Sequence, residues 1–351
     1  MMMMKNRILK QAAPILLAGA FLFPLSVPAV SAAEQPKPEW TEYSLIAHAM
    51  GGIDGVDYTN SLEAFQENYA KGQRVFEADF TLTEDGQLAA RHDWLPYLAD
   101  KFKQDIPAEK RDVPLTMSEF KSYPILRKYT PLSIDDVASL LKRYPDVYLV
   151  TDTKETDPAL VQQQFTLIRN AVNKVDPKLI NRIVPELYTP SMIQQARDII
   201  PFPNYIYSLY LSELKPDEIV EYVQSHGIRV VAMPSERATP EFIADLKEAG
   251  AVAYVHSLNK PDEVKAFLDM GVNGVYTDFL SYKDVGITPV PVASAQQGEV
   301  RQASYAAAAG ALPAGQETLE EEDPAQGNVL DTFIEMISEI FVPAEKTDAA
   351  Q

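Results

Sequence analysis

The residues best suited to chemistry are charged side chains that come in pairs, two positions apart. Glu77 and Asp79 form one pair near the end of a predicted strand, and Asp152 and Lys154 form a second. Residues two apart on a strand point to the same face, so each pair presents both of its charges to one side. Three carboxylates that converge repel one another unless a positive group lies among them. An oxygen-only cluster of this kind favours Ca²⁺ or Mg²⁺ over zinc.

Two of the four histidines occupy comparable places. His48 ends the first predicted strand, and His92 ends a short extra strand that follows the turn Glu84-Asp85-Gly86. A bound cation and Lys154 would both act on a phosphate oxygen, while the two imidazoles could share general acid and base duty across a P–O bond. The alternative is structural, because a strand-end acid can pair with an arginine and a histidine can be an ordinary polar residue at a rim. From these residues alone, both interpretations stay open.

The pattern over residues 43–287 predicts a fold in which the ends of the strands lie close together. Eight apolar, strand-like runs alternate with helical segments over this length, which matches an α/β protein with a (β/α)8 TIM barrel of about 250 residues. In such a barrel, reactive side chains lie at the carboxyl ends of the strands. A doubly wound open sheet is the alternative, but the glycine-rich phosphate loop that often follows its first strand is absent from the sequence. The predicted strands are 44–48, 74–79, 147–152, 182–187, 205–210, 228–233, 251–256 and 273–278. The predicted helices are 61–71, 133–144, 157–174, 190–199, 216–226, 239–249 and 260–270.

Composition narrows the possible classes of function. The 351 residues carry 50 acidic and 31 basic side chains, for a formal net charge of −19, and include no cysteine. Nucleic-acid binders cluster Lys and Arg against phosphates, and anionic lipid attracts basic surfaces, so the acidic balance argues against both partners. Without cysteine there are no disulfides, thiolate nucleophiles or Cys-ligated metals. Any metal must therefore be held by oxygen or imidazole.

The two ends of the chain differ from the body. Residues 1–32 have the features of a secretory signal peptide, with three basic residues before an apolar stretch over 12–25. That stretch is short for a stable transmembrane anchor, so we expect a secreted protein, outside the cytoplasm, with Ca²⁺ as the expected ion and Mg²⁺ as the alternative. Residues 288–351 have the composition of a flexible tail and end in a predicted amphipathic helix over 329–341, which would dock on the body or bind a partner.

Five segments of the sequence occur in an order that resembles a known enzyme family. They are Ile46-Ala47-His48, Asn60-Ser61-Leu62-Glu63-Ala64-Phe65, Phe76-Glu77-Ala78-Asp79, Leu82-Thr83-Glu84-Asp85-Gly86 and His92-Asp93. In this order and spacing they resemble the glycerophosphodiester phosphodiesterase family, within the wider group of barrels that includes phosphatidylinositol-specific phospholipase C. A weaker likeness continues through Asp152-Thr153-Lys154 to Asp278. The chain is identified as a divergent member of that family, with its catalytic domain at 43–287.

The resemblance implies a role for each candidate residue. His48 and His92 would act as the acid–base pair, and Lys154 would contact the phosphate. In this family, a substrate hydroxyl next to the phosphate is expected to attack phosphorus and leave a cyclic phosphate, which water then opens. The divalent cation would be held by Glu77, Asp79 and Asp152.

The chain also departs from the family pattern. The usual His-Arg-Gly reads His48-Ala49-Met50-Gly51 here, so the arginine that would clamp phosphate is missing. Arg91 is a candidate substitute, although it points to the opposite face of its strand from His92. His256 stands where a tryptophan is common and is a candidate substrate-binding residue. Asp152 replaces the usual glutamate, as in the sphingomyelinase D-like branch of the same barrel group.

Three functions are compatible with these features. The first is a secreted, divalent-metal-dependent phosphodiester hydrolase that acts on a small phosphodiester or a lipid head group. The second is a phospholipase or sphingomyelinase D-like lyase on intact lipid, for which the aromatic residues Trp94 and Tyr97 in the long insertion over 93–131 argue. The third is a non-catalytic extracellular binding barrel. The retention of both histidines and all three acids argues against it.

Overall fold

The computed structural model describes residues 38–289. The predicted signal peptide over 1–32, the predicted helix over 329–341 and all of the predicted tail beyond residue 289 lie outside this range. Within 38–289, no helix combines the length and the apolar character that crossing a membrane requires.

Eight parallel strands close into a barrel. The eight barrel strands are β1 (Leu45–Ala47), β2 (Val75–Leu82), β4 (Tyr148–Asp152), β5 (Ile183–Leu187), β6 (Ile206–Ser208), β7 (Val230–Pro234), β8 (Val252–His256) and β9 (Gly274–Thr277), and a ninth strand, β3 (Leu88–Ala90), lies between β2 and β4 in the chain. β1 pairs with both β2 and β9, with Ile46 opposite Val75 on one side and opposite Tyr276 on the other, so the ring has no open edge. β3 pairs antiparallel with β2 outside the ring. This closure confirms the predicted TIM barrel and excludes the open sheet.

Helices follow every barrel strand and pack around the ring. They are α1 (Leu62–Ala70), α2 (Pro96–Lys101), α3 (Met117–Ser122), α4 (Ile134–Arg143), α5 (Pro158–Val175), α6 (Pro190–Ile199), α7 (Pro216–His226), α8 (Pro240–Glu248), α9 (Pro261–Met270) and α10 (Tyr282–Val285). Their starts follow from local chemistry. The Ser133 hydroxyl accepts from the Asp136 N–H while the Asp136 carboxylate accepts from the Ser133 N–H, which is a capping box at the start of α4.

The interior of the barrel is layered by the two-residue period of its strands. The lower layer is apolar, and Trp40 closes it from the amino-terminal side by stacking on Tyr254 at 5.3 Å between ring centroids. Two residues further along several of these strands, the same face carries polar groups at the carboxyl ends. The lower layer includes Ile46, Val75, Val150, Val184 and Ile206, and the corresponding upper residues are His48, Glu77, Asp152, Glu186 and Ser208.

Candidate active site

A cavity of about 220 Å³ opens at the carboxyl ends of the barrel strands. The structure brings most of the sequence-predicted site residues to this one place. Asp79 lies against the cavity, where its carboxylate contacts the Lys154 ammonium. The predicted residues that line the cavity directly are His48, Glu77, His92, Asp152, Lys154 and His256.

The three predicted acids converge. Glu77, Asp79 and Asp152 are all buried, and each offers one carboxylate oxygen that lies within 4.8 Å of the others. Since Ca²⁺ binds oxygens at about 2.3–2.6 Å, ligands on opposite sides of one ion are about 5 Å apart, and this cluster fits that spacing. Glu77 Oε1 is also buried without a hydrogen-bond partner. The donor set therefore fits a hard divalent cation.

The electrostatics of the acids depend on Lys154. Its ammonium contacts Asp79, and it lies 3.2 Å from Asp152 Oδ2. Burial opposes the charge on this side chain, but the charges of Asp152 and Asp79 outweigh burial and raise the pKa of Lys154 well above its usual value. Burial likewise raises the pKa of Glu77 well above its usual value, and the charge of Asp79 adds to the effect. Lys154 thus compensates the cluster only in part, and among residues 38–289 no lysine or arginine forms an ion pair with Glu77, whose cationic neighbour is His48 at 3.9 Å.

Asp79 is held in place by an amide. Asn60 Nδ2 donates to Asp79 Oδ2 at 2.9 Å, and Asn60 Oδ1 accepts from the Asp79 N–H at 3.1 Å. Burial opposes ionisation of Asp79, but the charge of Lys154 outweighs it and lowers the pKa of Asp79 below its usual range. Asn60 belongs to one of the segments that carried the family resemblance, and its contact explains why an amide is suited to that position.

Glu77 is oriented by an unusual turn after β1. Ala49 and Met50 have φ angles of 48° and 68°, in the left-handed region that non-glycine residues rarely adopt. In this conformation the Ala49 N–H donates to Glu77 Oε2 at 2.6 Å. Backbone strain of this kind persists only where the surroundings enforce it, and it concentrates at functional sites.

His48 is fixed by a carboxylate from the last barrel strand. Its Nδ1 lies 2.8 Å from Asp278 Oδ1, and Asp278 Oδ2 accepts from Asn259 Nδ2 at 2.6 Å. The other ring nitrogen, Nε2, lies 3.9 Å from Glu77 Oε2. Burial opposes the charged imidazole, but the hydrogen bond to Asp278 and the charge of Glu77 outweigh it and raise the pKa of His48 to about 9.

His92 reaches the same cavity from the extra strand. Its Nδ1 lies 2.6 Å from Asp93 Oδ2, and the Tyr97 hydroxyl donates to the same carboxylate oxygen at 3.0 Å. The Tyr58 ring lies between the two histidines, with centroids 4.7 Å from His48 and 5.1 Å from His92 in edge-on contacts. Each imidazole therefore has its own carboxylate on Nδ1, which leaves Nε2 of each ring for chemistry.

Arg91 and His256 have different positions. Arg91 is 3% exposed and anchors the insertion, because its Nε donates to the Asp93 carbonyl at 2.6 Å and its Nη1 donates to Gln104 Oε1 at 3.0 Å. The structure places Arg91 outside the cavity, so its guanidinium does not replace the missing family arginine. His256 does line the cavity, and burial together with the charge of His48 lowers its pKa to about 4.

Sequence reasoning missed several residues of the site. The predicted site gives no role to Asp278, which lies in the weaker segment of resemblance, and does not include Glu186. Both could have been found from register, since Glu186 follows the inward-facing Val184 by two positions. The aromatic lining consists of Tyr58, Tyr188, Tyr210 and Tyr276. Tyr58 and Tyr210 lie outside the strands and carry no comparable signal in the sequence.

The sequence matches the glycerophosphoryl diester phosphodiesterase family over residues 52–281. The chain belongs to this family. The predicted membership is thereby confirmed, and it makes the chain a phosphoric diester hydrolase of the glycerophosphodiester phosphodiesterase type. A comparison with curated proteins finds no match.

Solved structures share the fold of this family member at low sequence identity. A Silicibacter pomeroyi protein described as a candidate glycerophosphoryl diester phosphodiesterase is 19% identical, with 70% of this chain and 95% of that chain covered and a TM-score of 0.59. An Oleispira antarctica phosphodiesterase is 16% identical, with 68% and 93% covered and a TM-score of 0.57. A Parabacteroides distasonis glycerophosphodiester phosphodiesterase is 20% identical, with 67% and 92% covered and a TM-score of 0.54.

Proposed function

We propose that this family member is a secreted hydrolase of glycerophosphodiesters that depends on a divalent cation held by Glu77, Asp79 and Asp152. His48 and His92 act as the acid–base pair. The observation that carries the proposal is the placement of two imidazoles, each oriented by its own carboxylate, at one cavity with the acidic cluster. The Oleispira antarctica relative in complex with the product sn-glycerol-3-phosphate supports a small-molecule phosphodiester as the substrate.

The residues of the site divide the reaction between them. Nε2 of one histidine takes the proton from the attacking hydroxyl, and Nε2 of the other gives a proton to the departing alcohol, so that one P–O bond forms as one breaks. Asp278 and Asp93 hold the two rings by Nδ1 throughout. Lys154 offers its ammonium to a phosphate oxygen. A bound Ca²⁺ would neutralise the negative charge that builds on the phosphoryl group.

The test is turnover of glycerophosphocholine by the purified protein, followed by phosphorus NMR with and without EDTA. We expect release of glycerol phosphate, loss of turnover in EDTA, and recovery when Ca²⁺ or Mg²⁺ is added back. The same spectra show whether a cyclic phosphate precedes the product. Turnover that is indifferent to the chelator would contradict the role given to the three acids.

Secretion rests on the N-terminal sequence, which lies outside the described residues. Expression of the full chain in a bacterial host, followed by N-terminal sequencing of the protein from the medium, tests it. We expect cleavage near Ala32, because Val30-Ser31-Ala32-Ala33 supplies the small residues that a signal peptidase needs. Retention of the intact N-terminus in the cytoplasm would contradict secretion.

A second candidate is activity on intact lipid at a membrane surface. The sequence suggested Trp94 and Tyr97 as membrane contacts, but both side chains are half-buried. Trp94 Nε1 donates to the Leu82 carbonyl, and the Tyr97 hydroxyl donates to Asp93. Other large apolar side chains are exposed, and within residues 38–289 all of them lie on loops that follow strands at the barrel mouth or in the insertion. They are Leu95, Val113, Tyr210, Leu211, Leu214 and Phe279. Turnover of phosphatidylcholine vesicles that exceeds turnover of glycerophosphocholine would favour this candidate over the first.

A further inference from the structure

Glu186 is a buried carboxylate at the cavity that the proposed reaction does not use. It lies near the end of β5, is 5% exposed and lines the cavity. The Tyr276 hydroxyl donates to its Oε2 at 3.1 Å. Its place in the register, two residues beyond Val184, puts it in the polar upper layer on β5, beside Asp152 at the end of the neighbouring strand β4.

This carboxylate lacks a cationic partner. Across residues 38–289, no lysine or arginine nitrogen lies within ion-pair distance of Glu186, and Lys154 is engaged by Asp79 and Asp152. A buried carboxylate is costly unless it is paired, so a ligand that brings positive charge to this point recovers that cost.

The wall around Glu186 is aromatic. Tyr188, Tyr210 and Tyr276 line the same cavity, and the His256 ring lies 6.0 Å from Tyr210 and 5.7 Å from Tyr276 between centroids. Tyr210 is 59% exposed, which places it at the entrance. Aromatic faces attract cations, most strongly ammonium groups without a tight water shell.

We infer that Glu186 and the tyrosine wall form a subsite for a positively charged head group, so that the substrate alcohol carries a quaternary or protonated amine. The inference rests on the proposed function, because it places the phosphate at Lys154 and the acidic cluster. The cavity then offers the Lys154 ammonium to the phosphate and the Glu186 carboxylate to the amine of a zwitterion. A neutral polyol alcohol would leave Glu186 without a cationic partner.

The test compares two ligands that differ only in one charge. Phosphocholine carries a trimethylammonium group, and 3,3-dimethylbutyl phosphate replaces its nitrogen with carbon at the same shape. With the full chain and Ca²⁺, calorimetry should show phosphocholine binding about tenfold more tightly, a preference expected of one ion pair with cation–π support. Glu186→Gln, which keeps the size of the side chain, should remove that preference while its affinity for the neutral ligand stays within about twofold. Glu213→Gln, the same charge change on the exposed loop after β6, should keep the preference.

Each alternative result overturns the inference. Equal affinity of the wild-type protein for the two ligands shows that the cavity does not select charge. If the preference for phosphocholine survives in Glu186→Gln, other residues cause it. If the variant loses affinity for both ligands equally, Glu186 supports binding of the phosphate instead. Tyr210→Leu provides a second variant should Glu186→Gln fold poorly, and it should reduce the preference without changing affinity for the neutral ligand.

Turnover separates this inference from the function on which it rests. A protein that prefers phosphocholine but cleaves no phosphodiester would retain the subsite and lose the proposed activity. A protein that cleaves glycerophosphocholine and glycerophosphoglycerol at equal kcat/KM, with no binding preference, would retain the activity and lose the subsite.

Discussion

The two interior layers of the barrel lie on the same strands, two residues apart, yet differ in almost every physical property. The lower layer is apolar and fully buried, as at Ile46 and Val150. The upper layer, at His48, Glu77 and Asp152, is also largely buried but carries charges that compensate one another only in part. The comparison shows that inward-facing residues two positions apart on one strand can serve different purposes. Those of the lower layer stabilise the fold, and those of the upper layer supply the chemistry. The two layers should therefore respond to substitution in opposite ways.

The largest effect is expected from Glu77→Gln in the upper layer. Loss of one carboxylate ligand should lower kcat/KM by about a thousandfold, since a bound cation is worth several kcal/mol of transition-state stabilisation. The raised pKa of Glu77 means that the folded protein disfavours its ionised form, so the variant in EDTA should melt at a higher temperature than the wild-type protein. This gain should shrink as the pH falls and Glu77 in the wild-type protein takes up a proton. A lower melting temperature in EDTA would contradict the contrast between the layers.

The histidines should show a loss of activity without a loss of fold. His48→Gln and His92→Gln should each lower kcat by about 10²- to 10⁴-fold, the usual contribution of a general acid or base. Circular dichroism should stay close to wild type for both variants, whereas His48→Gln should melt at a lower temperature below about pH 9, because it removes the cationic partner of Asp278. Single variants that retain more than a tenth of the activity would exclude the paired acid–base roles.

Ile46→Ala tests the lower layer two residues before His48. The side chain is fully buried, so its truncation should lower the free energy of unfolding by about 2–5 kcal/mol. The kcat of the protein that remains folded should change little, because the substitution lies below the cavity. Denaturant titration would measure the free energy of unfolding. Kinetics at about 20 °C below the melting temperature of the variant would measure kcat of the folded protein. A loss of kcat that corresponds to a larger free energy than the loss in the free energy of unfolding would show that the two layers are coupled.

Asp278→Asn tests how His48 is positioned rather than whether it reacts. Loss of a charge-assisted hydrogen bond of about 1.5–3 kcal/mol should lower kcat by about 10- to 100-fold. Because this bond helps to raise the pKa of His48, the pH profile of kcat should also move to lower pH. A purely structural role would lower stability and leave the pH profile in place.

The smallest effect should come from the outer ring of helices. Ser133→Ala removes the cap of α4 and should lower the free energy of unfolding by about 1 kcal/mol. Neither kcat nor the response to EDTA should change, since α4 lies outside the barrel. An effect on kcat would show that the outer helices also support the cavity.

Much of the framework was predictable because its signals are local. The eight barrel strands and the seven predicted helices appear within a few residues of their expected bounds, since apolar periodicity and capping residues act over short stretches. The convergence of Glu77, Asp79 and Asp152 followed from the rule that barrel strand ends meet at one mouth. The position of Arg91 was harder to predict, because its hydrogen-bond partner Gln104 lies in the insertion, where the sequence has no periodic pattern.

The sequence by itself determined which residues could do chemistry, which strands carry them, and which family they belong to, because these depend on residue type, order and spacing. Only the tertiary structure decided that Asp278 orients His48, that Asn60 holds Asp79, and that Glu186 lies beside three tyrosines without a lysine or arginine partner among residues 38–289. These contacts join residues far apart in the chain, and their geometry is fixed by barrel closure and by the left-handed turn after β1. Local sequence patterns predict neither the closure of the barrel nor the left-handed turn.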